Sequence, residues 1–331
     1  MKLINKKDRI FVAGHKGMVG SAIIRSLENK GYSKILKVSR NELDITNYEA
    51  VKNWFFLNKP EVVIIAAAKV GGIFANNNYP TEFLLENLKI QNNLIECAWK
   101  INVKRLLFLG SSCIYPKYSR QPIKEEYLLS GDLESTNESY AIAKIAGIKL
   151  CESLRKQYNF DAISLMPTNL YGPGDNYHPV NSHVLPSLIR KFYVAKKENK
   201  NKVECWGTGN ALREFLHVDD LGSACVFVLE NWKLPLDNNL NNFNDEIKNY
   251  INVGTGKDIS IKNLANLIAK QIDYSGEIVW DTSKPDGTPR KLLDVTKLER
   301  LGWYPQITLE QGIKDTINLF KIQYEEGSLR L

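Results

Sequence analysis

The chain has 331 residues, 44% hydrophobic and 10% aromatic, and a formal net charge of +7. That length holds one large α/β unit with a smaller partner domain, and the composition excludes a disordered chain. The apolar run Val62–Ala68 is far too short to span a bilayer, and Met1–Asp8 is followed by no apolar stretch of signal-peptide type, so the cytoplasm is the expected location and no membrane partner is expected.

Ile10–Ala13 is apolar and β-favouring, and a glycine turn follows it. From Met18 to Lys30 apolar residues recur at helical spacing through Val19, Ile23, Ile24 and Leu27. Ile35–Val38 is the next expected strand, Asn47–Leu57 a helix, and Val62–Ala66 a buried strand. Phe83–Lys100 is a long amphipathic helix, and Arg105–Leu109 another strand. Continuously apolar strands alternating with helices predict a Rossmann-type, doubly wound parallel sheet covered on both faces. After Met166 prolines, glycines and aromatics become frequent, which predicts loops and short elements built over the sheet's edge. Lys233–Asn249 is asparagine-rich and reads as an exposed loop, and Ile251–Gly254 as a late return to the sheet. The expected division is a Rossmann domain over 1–170, rejoined by roughly 213–254, and a smaller mixed α/β substrate domain from 171–212 and 255–331.

Five scattered cysteines, Cys97, Cys113, Cys151, Cys205 and Cys225, include no C-x-x-C pair, which argues against a disulfide framework or a zinc site. The positive charge fits an anionic nucleotide ligand and equally a lysine- and asparagine-rich composition; no nucleic-acid partner is expected.

Gly14-His15-Lys16-Gly17-Met18-Val19-Gly20 is G-x-x-G-x-x-G at the first strand–helix junction. Glycines there allow a tight turn and let backbone N–H groups approach a pyrophosphate at the positive end of a helix. Val38-Ser39-Arg40 ends the second strand without the acid that holds an NAD ribose hydroxyl, while Arg40 and Lys16 offer cations for a 2′-phosphate, so NADP is expected over NAD. Tyr140 and Lys144 form Y-x-x-x-K, which places both on one face of a helix; a cation beside a phenol is expected to lower the tyrosine pKa and make the pair a proton donor or acceptor for a carbonyl/alcohol couple. Ser111 and Cys113 follow the Arg105–Leu109 strand, at the end that faces the ligand crevice in this architecture, and in extended chain both would project to one side.

The segments AGHKGMVGSAI, AAAKVGGIFANN, FLGSSCIYPK, YAIAKIAGIKLCES, MPTNLYGP, NSHVLPSLIRKF, REFLHVDD and SKPDGTPRKLLDV resemble the GDP-L-fucose synthase family, which are GDP-4-keto-6-deoxymannose 3,5-epimerase-reductases of the extended short-chain dehydrogenase/reductase type. The resemblance runs from about Arg9 to beyond Trp303 and is weakest in the asparagine-rich loop. It implies enolate-mediated epimerisation at C3 and C5, with Cys113 as base and His183 as acid, followed by hydride transfer from NADPH to C4. In that scheme Tyr140 protonates the alkoxide, Ser111 orients the carbonyl and Lys144 holds the nicotinamide ribose. Pro167, Asn169, Leu170 and His183 lie beside the cofactor. Lys191, Trp206, Arg213 and Asp286, with Lys291 nearby, take the GDP-sugar. GDP-colitose synthases and GDP-heptose epimerase-reductases share much of this machinery. An NAD-retaining sugar-nucleotide epimerase or dehydratase would not need Cys113 and His183, and a non-catalytic NADP-sensing protein would not need the tyrosine–lysine pair. Analogy with the superfamily also implies a homodimer formed through the helix from Phe83 and the helix carrying Tyr140.

Overall fold

The computed structural model describes residues 2–234, 248–284 and 286–331; most of the expected loop Lys233–Asn249 lies outside the described residues. The first half alternates as β1 (Ile10–Ala13), α1 (Met18–Asn29), β2 (Ile35–Leu36), α2 (Tyr48–Asn58), β3 (Val62–Ile65), α3 (Ile73–Asn78), α4 (Pro80–Lys100), β4 (Arg105–Leu109), α5 (Glu138–Tyr158) and β5 (Ala162–Pro167). The second half runs β6 (Asn169–Tyr171), α6 (Val184–Lys197), β7 (Lys202–Trp206), β8 (Leu212–His217), α7 (Val218–Asn231), β9 (Tyr250–Val253), β10 (Asp258–Ser260), α8 (Ile261–Ile272), β11 (Glu277–Asp281), β12 (Arg290–Lys291), α9 (Thr296–Arg300) and α10 (Leu309–Glu325).

The large sheet is parallel throughout, in the order β2-β1-β3-β4-β5-β9. Successive strand residues point to opposite faces, and the core follows that alternation. Phe11, Val63, Ile65, Leu106 and Phe108 join the helices α2, α4 and α5 on one side. Ile10, Val12, Val62, Ile64, Leu107 and Leu109 join α1 and α7 on the other. Each such fully buried side chain contributes roughly 1.5–3 kcal/mol of transfer free energy. β2 is shorter than Ile35–Val38 because it is an edge strand with β1 as its single neighbour; beyond Leu36 the chain turns away.

The second half is more regular than its prolines and glycines suggest. α6, α8 and α10 are full helices, and with β7 and β8 they enclose a third core built on Leu188, Phe192, Phe215, Ile268, Ile317 and Phe320. Leu212–His217 does not rejoin the large sheet. It is the centre of a small sheet, flanked by β10 and β12 and paired with β6, and the return to the large sheet is made by α7 against α1 and by β9. Among the described residues no helix is long and apolar enough to cross a membrane.

Candidate active site

The strand order reverses direction at β1 and β3, and in open parallel sheets ligands bind at such a point, beyond the strand C-termini. The glycine loop closes that crevice. Gly14 has φ +85, and a Cβ there would lie 2.7 Å from the Ala67 nitrogen at the end of β3; a Cβ on Gly20 would lie 2.1 Å from the Gly14 carbonyl oxygen. The turn thus has no room for side chains, and Gly17 caps α1 in extended conformation with no side-chain bond, leaving the first N–H groups at Met18 and Val19 without intrahelical acceptors. This cradle fits a dinucleotide pyrophosphate, with the helix dipole adding attraction. Gly174, in the loop after β6, packs against Met18 and walls the other side.

Lys16 and Arg40 are both exposed at this mouth. An acid not considered in the sequence, Glu42, stands one turn beyond the strand. Its carboxylate accepts the Ser39 N–H at 2.9 Å and the Ser39 hydroxyl at 2.6 Å, so it caps the turn. Pro167 ends β5, Asn169 and Leu170 lie on β6, and the Asn169 amide donates to the Glu214 carbonyl at 2.8 Å, which fixes that strand against β8.

Ser111, Cys113, Tyr140 and Lys144 converge at the C-terminal end of β4. The chain there is not extended: Ser112–Ile114 is a 3-10 turn, and Ser111 caps it by accepting the Cys113 N–H at 3.1 Å. The turn, rather than strand alternation, brings the serine hydroxyl to the thiol and to the Tyr140 hydroxyl. Lys144 is buried, and its ammonium donates to the Leu109 carbonyl at 2.9 Å and lies 4.8 Å from the centre of the Phe108 ring.

The expected lowering of the tyrosine pKa is not found. Burial pushes the Tyr140 phenol up, charge on Cys113 adds to the rise, and the bond to Ser111 opposes it. Burial also brings Lys144 down to about 7, and its ammonium is directed at a backbone carbonyl rather than at the phenol. Tyr140 is therefore protonated at neutral pH and is a donor.

Cys113 behaves oppositely. Burial alone would raise its thiol, but the Lys291 ammonium, the bonds to Ser111 and Lys291, and the Arg213 charge together hold it below the ordinary thiol value. The Lys291 Nζ lies 3.4 Å from the Cys113 Sγ. His183 immediately precedes α6 and is exposed; desolvation and the Lys291 charge lower its pKa, so the imidazole is neutral near pH 7. Its loop is clamped from the other side: the Gly72 N–H donates to the Asn181 carbonyl at 3.1 Å, and a Cβ on Gly72 would lie 2.8 Å from the Ser182 oxygen.

Away from Cys113 the cleft continues along β8 and β7. Arg213 pairs in register with Lys291 and donates to the Asp286 carbonyl at 3.0 Å. Trp206 is 49% exposed at the end of β7, with the Lys191 Nζ 5.5 Å and the Lys284 Nζ 5.8 Å from its ring. The Asp286 carboxylate accepts the Thr208 N–H at 2.8 Å and hydroxyl at 2.7 Å, so it braces the loop after Trp206. The expected residues thus form one track of cations and an aromatic face leading to the sulfur. Two further residues of this region carried no expectation. Lys284 lies within the quoted SKPDGTPRKLLDV segment, so its signal was present. Glu214 is fully buried and accepts N–H groups of Thr255, Gly256 and Leu293 at 2.6, 2.7 and 3.0 Å, tying β8 to the strand that bears Lys291. Within REFLHVDD nothing local distinguishes it from a surface acid.

A glycine cradle at the sheet's switch point and a serine–tyrosine–lysine cluster beside it define a nucleotide-dependent enzyme of extended Rossmann type. The chain belongs to the NAD dependent epimerase/dehydratase family, whose model matches residues 10–241. It is 53% identical over 315 residues to the GDP-L-fucose synthase of Escherichia coli (strain K12), covering 95% of this chain and 97% of that one. Identity to the GDP-L-colitose synthase of Yersinia pseudotuberculosis is 40% over 314 residues, covering 94% and 97% of the two chains. Among solved structures, a GDP-mannoheptose C4 reductase from Campylobacter jejuni with NADP bound superposes with a TM-score of 0.85 at 38% identity, covering 96% of this chain and 99% of that one.

Proposed function

We propose that this protein is an NADP-dependent epimerase-reductase that converts GDP-4-keto-6-deoxy-D-mannose to GDP-L-fucose. The observation that carries the reading is the cysteine sulfur, held beside an ammonium, one hydroxyl away from the tyrosine that a reductase needs. The C4 ketone acidifies the protons at C3 and C5. Cys113 takes a proton from the sugar carbon, and His183 returns one on the opposite side once it has itself been protonated. Ser111 hydrogen-bonds the C4 oxygen and holds it against Tyr140. NADPH, when bound, supplies the hydride to C4. Tyr140, protonated by virtue of its burial, then gives its proton to the developing alkoxide, the direction a reduction requires. Lys144 holds the nicotinamide ribose; Met18 and Val19 N–H groups take the pyrophosphate; Lys16 and Arg40 take the 2′-phosphate; and Pro167, Asn169 and Leu170 border the nicotinamide. Lys191, Arg213 and Lys284 neutralise the GDP diphosphate, and Trp206 stacks on the base or sugar.

The identity of 53% to a fucose synthase against 40% to a colitose synthase supports the fucose assignment. We place the enzyme in the cytoplasm, where five unpaired cysteines are at home. We propose a homodimer through α4 and α5, which expose Leu85, Ile142 and Tyr158. Incubation with the keto sugar in D2O without NADPH tests the chemistry: deuterium enters C3 and C5 if the reading is right, and a plain reductase leaves both positions unlabelled.

A further inference from the structure

We propose that Lys291 is the residue that keeps Cys113 in its thiolate form, as a positioning cation for the proton-transfer base rather than a contact for the substrate's phosphates. This rests on the reading of Cys113 as the epimerisation base, and it explains how a thiol performs that role at neutral pH. An ordinary thiol with a pKa of about 8.5 is only a few per cent ionised at pH 7, too little for a base that must be ready on each turnover.

The geometry is specific. The ammonium nitrogen is 3.4 Å from the sulfur. Among the described residues no carboxylate lies within ion-pair distance of it, and the side chain it contacts is that of Cys113. The lysine is not on a loose surface strand. Leu292 donates to the Gln121 side chain at 2.9 Å, Leu293 donates to the buried Glu214 carboxylate at 3.0 Å, and the Arg290 carbonyl accepts from the Gln121 amide at 3.1 Å. The backbone is therefore pinned on both sides of Lys291, and the ammonium is delivered to the sulfur from a fixed strand.

Every element packed around the sulfur agrees in sign. β12 offers Lys291 and β8 offers Arg213, both cationic; Ser111 donates a hydroxyl; α5 presents the neutral Tyr140; and His183, before α6, is neutral beside the same ammonium. The acids that act on this cluster, Asp286 and Glu134, act through Arg213. A thiolate flanked by two cations and no carboxylate is the favoured state. In the step itself the C–H bond at C3 or C5 breaks, an S–H bond forms, and the electron pair moves to the C4 oxygen as an enolate. Lys291 keeps its proton throughout.

The test uses the substrate-free protein and reads the pH dependence of Cys113 alkylation by iodoacetamide, followed at that residue by mass spectrometry. Cys97, Cys151, Cys205 and Cys225 are buried, so the fast reaction belongs to Cys113, and C113S gives the blank. The wild-type profile should have its midpoint well below the ordinary thiol value. K291M should move it up by about one unit or more, a roughly tenfold loss of thiolate at pH 7, while K291R keeps most of the wild-type position. NADPH binding by K291M reports that the fold is intact, and Lys291→Gln is read in the same way should K291M fail that control. A wild-type midpoint at the ordinary thiol value, or superimposable K291M and wild-type profiles, overturns the proposal. Because the assay contains neither sugar nor cofactor, a protein that alkylates as expected but does not turn over GDP-4-keto-6-deoxymannose refutes the substrate assignment and leaves the thiolate pair standing.

Discussion

The proposed reducing half of the site and the proposed proton-shuttling half are built in opposite ways. Ser111, Tyr140 and Lys144 come from β4 and the helix that follows it, and burial governs their chemistry: it raises the phenol and brings the ammonium down to about 7. Cys113 lies in the same turn as Ser111, yet its state is set by charges from β12 and β8, 178 and 100 positions away along the chain, against the effect of burial. His183 comes from a third place, the loop before α6. The difference is that one cleft holds a phenol pushed up by burial and a thiol held below its ordinary value by neighbouring cations. Desolvation keeps the donor neutral, and a local pair of cations overrides desolvation at the base.

The comparison can be broken by separating the halves. Tyr140→Phe should lower the rate of NADPH-dependent reduction by ~10²–10⁴-fold, the usual worth of a general acid, while C3 and C5 deuterium exchange in D2O continues. Wild-type reduction in that variant would remove Tyr140 from its role. Cys113→Ser should do the converse and slow exchange by about 10²-fold; NADPH affinity, measured by fluorescence titration, should stay as it is. Unchanged exchange would make the thiol structural. The smallest effect should fall on the cofactor mouth. Arg40→Ala should weaken NADPH by about tenfold, the loss of one charge-assisted hydrogen bond, and leave NADH nearly unaffected. An equal loss for both would refute the 2′-phosphate assignment.

The pH dependence sharpens the same contrast. Lys144, at about 7 in the cofactor-free protein, is charged below that value and loses its proton as pH rises through it. NADPH binding should therefore weaken above about pH 7 in wild type, a trend checked by titrations from pH 6 to 9, and Lys144→Met should flatten it. The thiolate at Cys113 is lost in the other direction, as pH falls through its lowered value, so exchange should decline on the acid side.

How much was legible in the sequence follows the same division. The glycine loop, the strands Ile10–Ala13, Val62–Ile65 and Arg105–Leu109, and the Tyr140–Lys144 pair are local patterns with local physical causes, and they stand where apolar runs and helical spacing put them. Ser111 and Cys113 share a pocket as expected, but through a 3-10 turn that alternation along a strand could not indicate. Spacing on a helix says nothing of burial, and burial decides both Tyr140 and Lys144, so the expected lowering of the phenol does not occur. Beyond Met166, where loops and short elements of a mixed α/β domain were expected, the chain forms the full helices α6, α8 and α10 around a third core. Pro186 sits in the first turn of α6, where proline is tolerated, so its presence masked a helical run at Leu185, Leu188, Ile189 and Phe192. The placement of Lys291 against Cys113 depends on β12 pairing with β8, a contact between two short strands that no pattern within either one announces.

The measurement that tests the account most directly is NADPH oxidation by the purified protein with GDP-4-keto-6-deoxymannose, with the product identified by NMR. The account predicts stoichiometric NADPH oxidation and GDP-L-fucose, inverted at C3 and C5 and reduced at C4. A product reduced at C4 with C3 and C5 unchanged, or NADPH binding with no turnover of this sugar, would contradict it.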